Sequence, residues 1–481
     1  MSLTLLSDED IRKLLENLTS EESYSFQDAL KSALHEYSTG TQAITTGSYN
    51  QPARTSIYSE RTGATTLFMP SNSPAGHGVK VVTVSSPNAN LSLPTTSPTG
   101  SLTLYSPDGN PIGFLHAQTL TAFRTALASS CLLTKRANVR TLTVFGSGQQ
   151  AYWHIRLALA LRGATIRTVN IINRQFSENA KNILKRFYTV PMEVKEREGW
   201  DQAQFGVLTP GYGEYDRLQK EHIRAADVIY CCTPSTEELF DANILTSREG
   251  RKKGRLIVAI GSYTKDMREL PSELLIQATR LHQHSHIHYH KHATEGGVVV
   301  VDSLDGALKE AGEIIDAGLG PEQLVELGEL IMIKRLVKEE VDSSQPSTET
   351  NSLSESVDKL DIGSQSSVMS SIFGTDSGSS KRSTSQSPSR AKRDSSTTRT
   401  ASPSGFRMPS FRHHKRTGSQ RSTTEDKEYQ KRDDHLARWL TSGNVIYKSV
   451  GLGLMDLVVG LEVIALANAR GVGTHVENFS P

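Results

Sequence analysis

The residues best placed to do chemistry are glycines. Leu142-Thr143-Val144-Phe145 is a short apolar run that enters Gly146-Ser147-Gly148-Gln149-Gln150-Ala151 and leaves as a helix-forming stretch from Tyr152 to Leu161. A buried strand that runs through Gly-x-Gly-x-x-Ala into a helix is a cradle for a dinucleotide pyrophosphate. Gly146 permits the tight turn, Gly148 lets the backbone approach phosphate, and Ala151 is small enough for close helix–strand packing. The first N–H groups of the helix add partial positive charge. The plainer reading of the same pattern is a tight turn with no ligand.

The next apolar run ends Ile171-Ile172-Asn173-Arg174. An NAD enzyme places Asp or Glu here to bond the ribose 2′-hydroxyl. No carboxylate stands here to repel a 2′-phosphate, and Arg174 can pair with one, so the sequence favours NADP(H) over NAD(H). A third run, Asp227 to Thr233, leads into Thr233-Pro234-Ser235. Loops at the carboxyl ends of parallel strands face the ligand crevice, which makes Thr233 and Pro234 a second cofactor wall. Cys231 and Cys232 read as small buried hydrophobes rather than metal ligands, since no other Cys or His pair sits nearby at ligand spacing. His282, His284, His286, His288, His290 and His292 would share one face of a strand, but no Cys or carboxylate is interleaved. A solvated loop is the expectation, and no metal site is assigned.

Stepping outward from these residues, LTVFG (142–146), VNIIN (169–173), DVIYCCT (227–233), RLIVAIG (255–261) and VVVVD (298–302) read as buried strands, most of them separated by helical patterns. Continuous apolar strands alternating with helices imply a parallel sheet covered on both faces. The fold class is therefore α/β, with a Rossmann dinucleotide-binding domain over 126–338. Residues 1–125 open with a helix that has Ser7 as N-cap and Asp10 three residues on, and continue with strand-like runs at Val79–Val84 and Ser101–Tyr105. Residues 339–434 are rich in Ser, Thr, Lys and Arg, lack apolar periodicity and read as a disordered insertion. Ser387-Pro388, Ser402-Pro403 and Ser419 within it are candidate kinase sites. Order resumes over 435–481. The apolar stretch GLGLMDLVVGLEVIALANA carries Asp456 and Glu462, which reads as a core helix and not a membrane span.

The whole chain has 481 residues, 53 Lys plus Arg against 52 Asp plus Glu, and a formal net charge of +1. That balance gives no footprint for nucleic acid or an anionic membrane. Three cysteines cannot form a disulfide framework and suit a reducing compartment. Asp8, Glu9 and Asp10 argue against a targeting leader, so the expected location is the cytoplasm.

Taken in order, these motifs resemble the ornithine cyclodeaminase/mu-crystallin family. The matching stretches are Gly78-Val79-Lys80-Val81-Val82, Leu120 to Ala126, the Gly146–Ala151 turn, Cys232-Thr233-Pro234-Ser235, Ala259-Ile260-Gly261 with Asp266 to Leu270, Val301-Asp302-Ser303, Glu310-Ala311-Gly312-Glu313, and Tyr447 to Gly451 with Asp456. The resemblance implies a homodimer whose α+β substrate and dimerisation domain is built from both chain ends, with residues 435–481 returning to it. It adds Gly261 to the cofactor residues. It implies that Lys80 and Arg124, with Arg54 as the third, clamp the carboxylate of an amino or imino acid, and that Lys80 and Arg124 are catalytic. A guanidinium pairs with a carboxylate in a planar, bidentate way, which suits that task. In cyclodeaminases that form proline, a catalytic Asp follows the fifth-strand loop, and here its position is Tyr263. Tyrosine is a poor general base near neutral pH. The resemblance therefore favours NAD(P)H-dependent reduction of a small cyclic imino acid, or the reverse oxidation of an amino acid. Ornithine cyclisation with a substituted acid/base and non-catalytic nucleotide binding are the alternatives.

Overall fold

The computed structural model describes residues 2–40, 47–85, 98–261, 264–280, 296–331, 437 and 439–479. The insertion expected over 339–434, the alternating histidines and Tyr263 lie outside the described residues. Six strands come first: β1 (Leu3–Leu6), β2 (Thr55–Ser59), β3 (Ala64–Ser73), β4 (Gly76–Ser85), β5 (Thr99–Tyr105) and β6 (Pro111–His116). Eight follow: β7 (Thr141–Phe145), β8 (Thr168–Ile172), β9 (Gln204–Leu208), β10 (Val228–Cys231), β11 (Leu256–Ala259), β12 (Val298–Val301), β13 (Leu324–Glu326) and β14 (Val445–Lys448), and β15 (Thr474–Val476) closes the series.

The second set forms a sheet in the order β13-β12-β14-β11-β10-β7-β8-β9, with every neighbouring pair parallel. β10, β11, β12 and β14 are buried at every residue, as runs covered on both faces must be. Chain order reverses direction across the sheet between β7 and β10. That junction is the topological switch point of an open α/β sheet, where ligands bind outside the strands' carboxyl ends.

The other sheet is mixed, in the order β15-β1-β6-β5-β4-β3-β2, so both chain ends contribute to it. Helix α1 (Asp8–Glu16) starts as its sequence dictates. Ser7 Oγ accepts from Asp10 N at 3.2 Å, and Ser7 N donates to Asp10 Oδ2 at 3.1 Å, closing a capping box. The apolar helix Gly453–Arg470 lies against β3, β4 and β5, and against α2 (Ser20–Thr39) and α3 (Ala117–Leu133). Strand alternation then sorts β4 into two faces. Lys80, Val82 and Val84 look inward, with Met69 and Leu67 opposite Lys80 and Val82 on β3. Val79 and Val81 take the other face; Val81 pairs with Phe68 on β3, and Val79 lies in cross-strand file with Thr103 and Phe114.

One expected boundary moves. The chain resumes near 435 not by returning to the mixed sheet but by adding β14 to the middle of the parallel one, between β11 and β12. Val445-Ile446-Tyr447-Lys448 has the continuous apolar character such a slot demands, and the return to the mixed sheet begins only at Gly453. No described helix is long and apolar enough to cross a membrane.

Candidate active site

A cavity of about 930 Å³ opens between the two sheets. From the mixed-sheet side it is lined by Arg54, Lys80 and Arg124, with Leu67, Met69, Val82 and Val84 as an apolar wall. From the parallel-sheet side come Ser147, Gly148, Gln149, Gln150, Thr233, Pro234 and Gly261.

The glycine turn after β7 leads into a helix, as its sequence predicts. Gly146 sits at φ +100°, a conformation that a side chain strains, and a Cβ there would lie 2.8 Å from the Cys232 carbonyl oxygen. Gly148 is the N-cap of α4 (Gln149–Arg162), and a Cβ on it would meet nothing within 4 Å. Open space above unpaired N–H groups at a helix start is what an anionic phosphate requires. Ala151 is fully buried against the sheet. These residues fit a dinucleotide.

The cations are held by carboxylates, one fully buried (Asp456) and one half-buried (Glu310). Lys80 Nζ donates to Asp456 Oδ1 at 3.1 Å and Oδ2 at 3.0 Å. Arg124 Nε donates to Asp456 Oδ1 at 3.1 Å, and its Nη1 lies 3.4 Å from Met455 Sδ. Lys80 is 2% exposed and Asp456 0%. Burial pushes the Lys80 amine down to about 8; Asp456 opposes the shift, and Arg124 and Arg54 add to it. Arg54 is not a bare cation: Nε donates to Glu310 Oε1 at 2.7 Å, and Nη2 contacts Oε2. Three cations against two carboxylates leave a formal charge of +1 facing the cavity. No Asp or Glu is among the described residues that line it.

Further buried carboxylates fix the surrounding loops. Asp302 accepts from Ser449 Oγ at 2.8 Å, Val450 N at 3.3 Å and Gly451 N at 2.8 Å. This shapes the turn that delivers Gly451 to the Arg124 guanidinium. Glu269 accepts from Thr233 N at 2.7 Å and Thr233 Oγ1 at 3.0 Å through Oε1, and from Gly261 N at 2.7 Å through Oε2. It thereby joins the loops after β10 and β11. Gly261 is obligatory at that contact, since a Cβ would fall 1.8 Å from the Thr233 carbonyl oxygen.

The structure does not bring Asn173 and Arg174 to the cavity. Asn173 Nδ2 donates to the Gln175 carbonyl at 2.7 Å, and Arg174 is exposed at the end of β8. Sequence reasoning missed the cations that do reach it there, Lys185 and Arg186 on α5 (Glu178–Tyr188). Arg186 stacks over the Tyr152 ring at 3.2 Å, and donates to Gln149 Oε1 at 3.1 Å and Glu16 Oε1 at 2.7 Å. Their i, i+1 placement on an amphipathic helix gave no signal. Asp456, Asp302 and Glu269 lay within the family motifs, but without an assigned role.

Residues 11–200 match the model of the ornithine cyclodeaminase/mu-crystallin family. The chain is 28% identical over 307 residues to the ketimine reductase mu-crystallin of Mus musculus, covering 63% of this chain and 80% of the relative. It is 29% identical over 290 residues to a delta(1)-pyrroline-2-carboxylate reductase of Bacillus cereus, covering 58% and 74% respectively. Among solved structures, the delta(1)-pyrroline-2-carboxylate reductase of Thermococcus litoralis, in complex with NADH and L-proline, aligns with a TM-score of 0.57 at 18% identity, covering 98% of this chain and 100% of that one. That likeness establishes the fold.

Proposed function

Since this chain belongs to the ornithine cyclodeaminase/mu-crystallin family, we propose that it is a nicotinamide-dependent oxidoreductase that reduces the C=N bond of a small, cyclic imino acid, or in reverse oxidises an amino acid. The observation that carries this is the +1 cluster of Lys80, Arg124, Arg54, Asp456 and Glu310 facing the glycine cradle across one cavity. A site with one net positive charge, walled by hydrocarbon, takes a monocarboxylate. Arg124 and Lys80 bind that carboxylate and fix its orientation, and Arg54, braced by Glu310, closes the third side. Lys80, with its amine near 8, also holds a proton beside the substrate nitrogen and keeps the imine in its protonated, electron-poor form. The dinucleotide, when bound, supplies the hydride.

Gly146, Gly148 and the N-terminus of α4 hold its pyrophosphate, while Thr233, Pro234 and Gly261 form the wall beside its nicotinamide half. NADP(H) is favoured over NAD(H) because Arg174 stands exposed at the end of β8, with no acidic residue at 173–177. The homodimer expected of the family would use the outer face of the mixed sheet. Ile57 and Phe114 are exposed there, with Phe68, Val79 and Val81 on the same face of the strands between them. Free Cys131, Cys231 and Cys232 fit a cytoplasmic setting.

The test is a panel of cyclic imino acids and free amino acids followed at 340 nm with each nicotinamide cofactor. Cofactor oxidation by a cyclic imino acid supports the proposal. Proline and ammonia from ornithine, without net cofactor turnover, would assign cyclodeaminase chemistry instead. Tight nucleotide binding with no hydride transfer to any substrate would assign a binding protein.

A further inference from the structure

The mechanism leaves unused a buried charge cluster behind the loops after β10 and β11. Glu269 is fully buried and accepts three hydrogen bonds, all from residues of those loops. Among the described residues, the charged groups facing it are Lys448 of β14 and Glu313 of the helix Gly312–Asp316. These two pair at 3.2 Å, and both are fully buried. Cys231 at the end of β10 and Cys232 just after it also face it, but burial pushes both thiols up, so they stay neutral. Among these three described groups, two carboxylates against one ammonium give one negative charge in excess when all are ionised.

Where that charge sits follows from topology. The pyrophosphate lies over the turn after β7, and the adenosine ribose lies toward β8. The nicotinamide half must then extend the other way, over β10 and β11. Thr233 and Gly261, which bond Glu269 directly, line the cavity there.

We propose that the Glu269 carboxylate places negative charge behind the nicotinamide half of the crevice, so that the chain favours the cationic oxidised ring over the neutral reduced one. This rests on the oxidoreductase reading and makes Glu269 a positioning residue of that reaction. It holds the two loops together and, through its charge, stabilises the ring that results when a hydride leaves with its electron pair. The cations at Lys80, Arg124 and Arg54 act at the substrate's carboxylate on the opposite wall.

The test is a pair of dissociation constants. The oxidised and reduced forms of the preferred dinucleotide are titrated into the full chain and into Glu269→Gln by calorimetry, at pH 6 and pH 8.5. Loss of loop geometry alone weakens both forms alike and leaves their ratio unmoved. Loss of the charge moves the ratio: at pH 8.5 the variant should favour the reduced form, relative to the unaltered chain, on the order of tenfold. Burial raises the Glu269 carboxyl to about 7. The unaltered chain should therefore bind the oxidised form progressively better, relative to the reduced, from pH 6 to 8.5, and more steeply than the variant, in which the Lys80 amine at about 8 still titrates but Glu269 does not. A 2′-phosphate titrates in both forms and cancels from the ratio. Should Glu269→Gln fail to fold by circular dichroism, the pH series on Lys80→Arg, which keeps the positive charge but does not titrate in this range, decides instead. A ratio that is constant with pH, or equal in both proteins at pH 8.5, overturns the proposal and leaves the oxidoreductase reading standing. A chain that binds neither form overturns both.

Discussion

Arg124→Ala separates substrate capture from cofactor binding. The guanidinium meets Asp456 at 3.1 Å, and Asp456 keeps its second partner, Lys80, at 3.0 Å when the arginine is cut away. The carboxylate is not stranded, so the fold should survive. The local charge does change: Lys80, Arg124 and Asp456 sum to +1, and without Arg124 they sum to zero. Losing one partner of a desolvated charge pair costs about 2–5 kcal/mol. A middle value of about 3 kcal/mol predicts a KM for the imino acid raised on the order of a hundredfold. Arg124 is also one of the charges that depress Lys80, so its removal lets the amine rise from about 8. Capture needs the protonated amine, and activity falls as pH climbs through that value. The alkaline limb of the profile should therefore shift to higher pH in the variant. Steady-state rates at 340 nm from pH 6 to 10, with calorimetry of dinucleotide binding, measure both effects. An unchanged KM, together with an unmoved alkaline limb, would refute the assignment of Arg124 to the anion clamp.

Other outcomes are equally specific. Asp456→Asn leaves two buried cations without their counter-ion and should cost about 3–5 kcal/mol in thermal or urea unfolding. In whatever folds, the alkaline limb should move to lower pH, opposite to Arg124→Ala, because Asp456 is the group that holds the Lys80 proton on. Arg174→Asp should turn the cofactor preference toward NAD(H), read as the ratio of the two dissociation constants. Phe114→Asp, on the outer face of the mixed sheet, should yield monomers by light scattering without altering the dinucleotide affinity of each chain.

Much of the parallel sheet was legible because its strands are dictated by local pattern. β10, β11 and β12 fall within the apolar runs that announce them, β7 and β8 each begin one residue before theirs, and the turn after β7 needs glycines wherever it occurs. β9, Gln204–Leu208, alternates burial at the sheet edge and carries no such run. β14 has the right composition, but its neighbours in space are strands far away in sequence, so only tertiary pairing places it. The site was legible as far as its cations, through motif resemblance. Their partners were not. Asp456 in an apolar helix argues against a membrane span and says nothing of which cation it will meet, and the Arg54–Glu310 pair joins residues 256 positions apart. Charge pairing across the fold leaves no periodic trace, and neither do the bridging hydrogen bonds of Asp302 and Glu269.

The placement of β14 bears on how the chain is made. Until residues 445–448 leave the ribosome, β11 and β12 have no strand between them, and two central edges wait with unpaired backbone groups. The parallel sheet is thus closed only after the long stretch between β12 and β14 has been synthesised, and nascent protein runs a prolonged exposure to aggregation. A chaperone that shields strand edges would matter most to this protein during that interval.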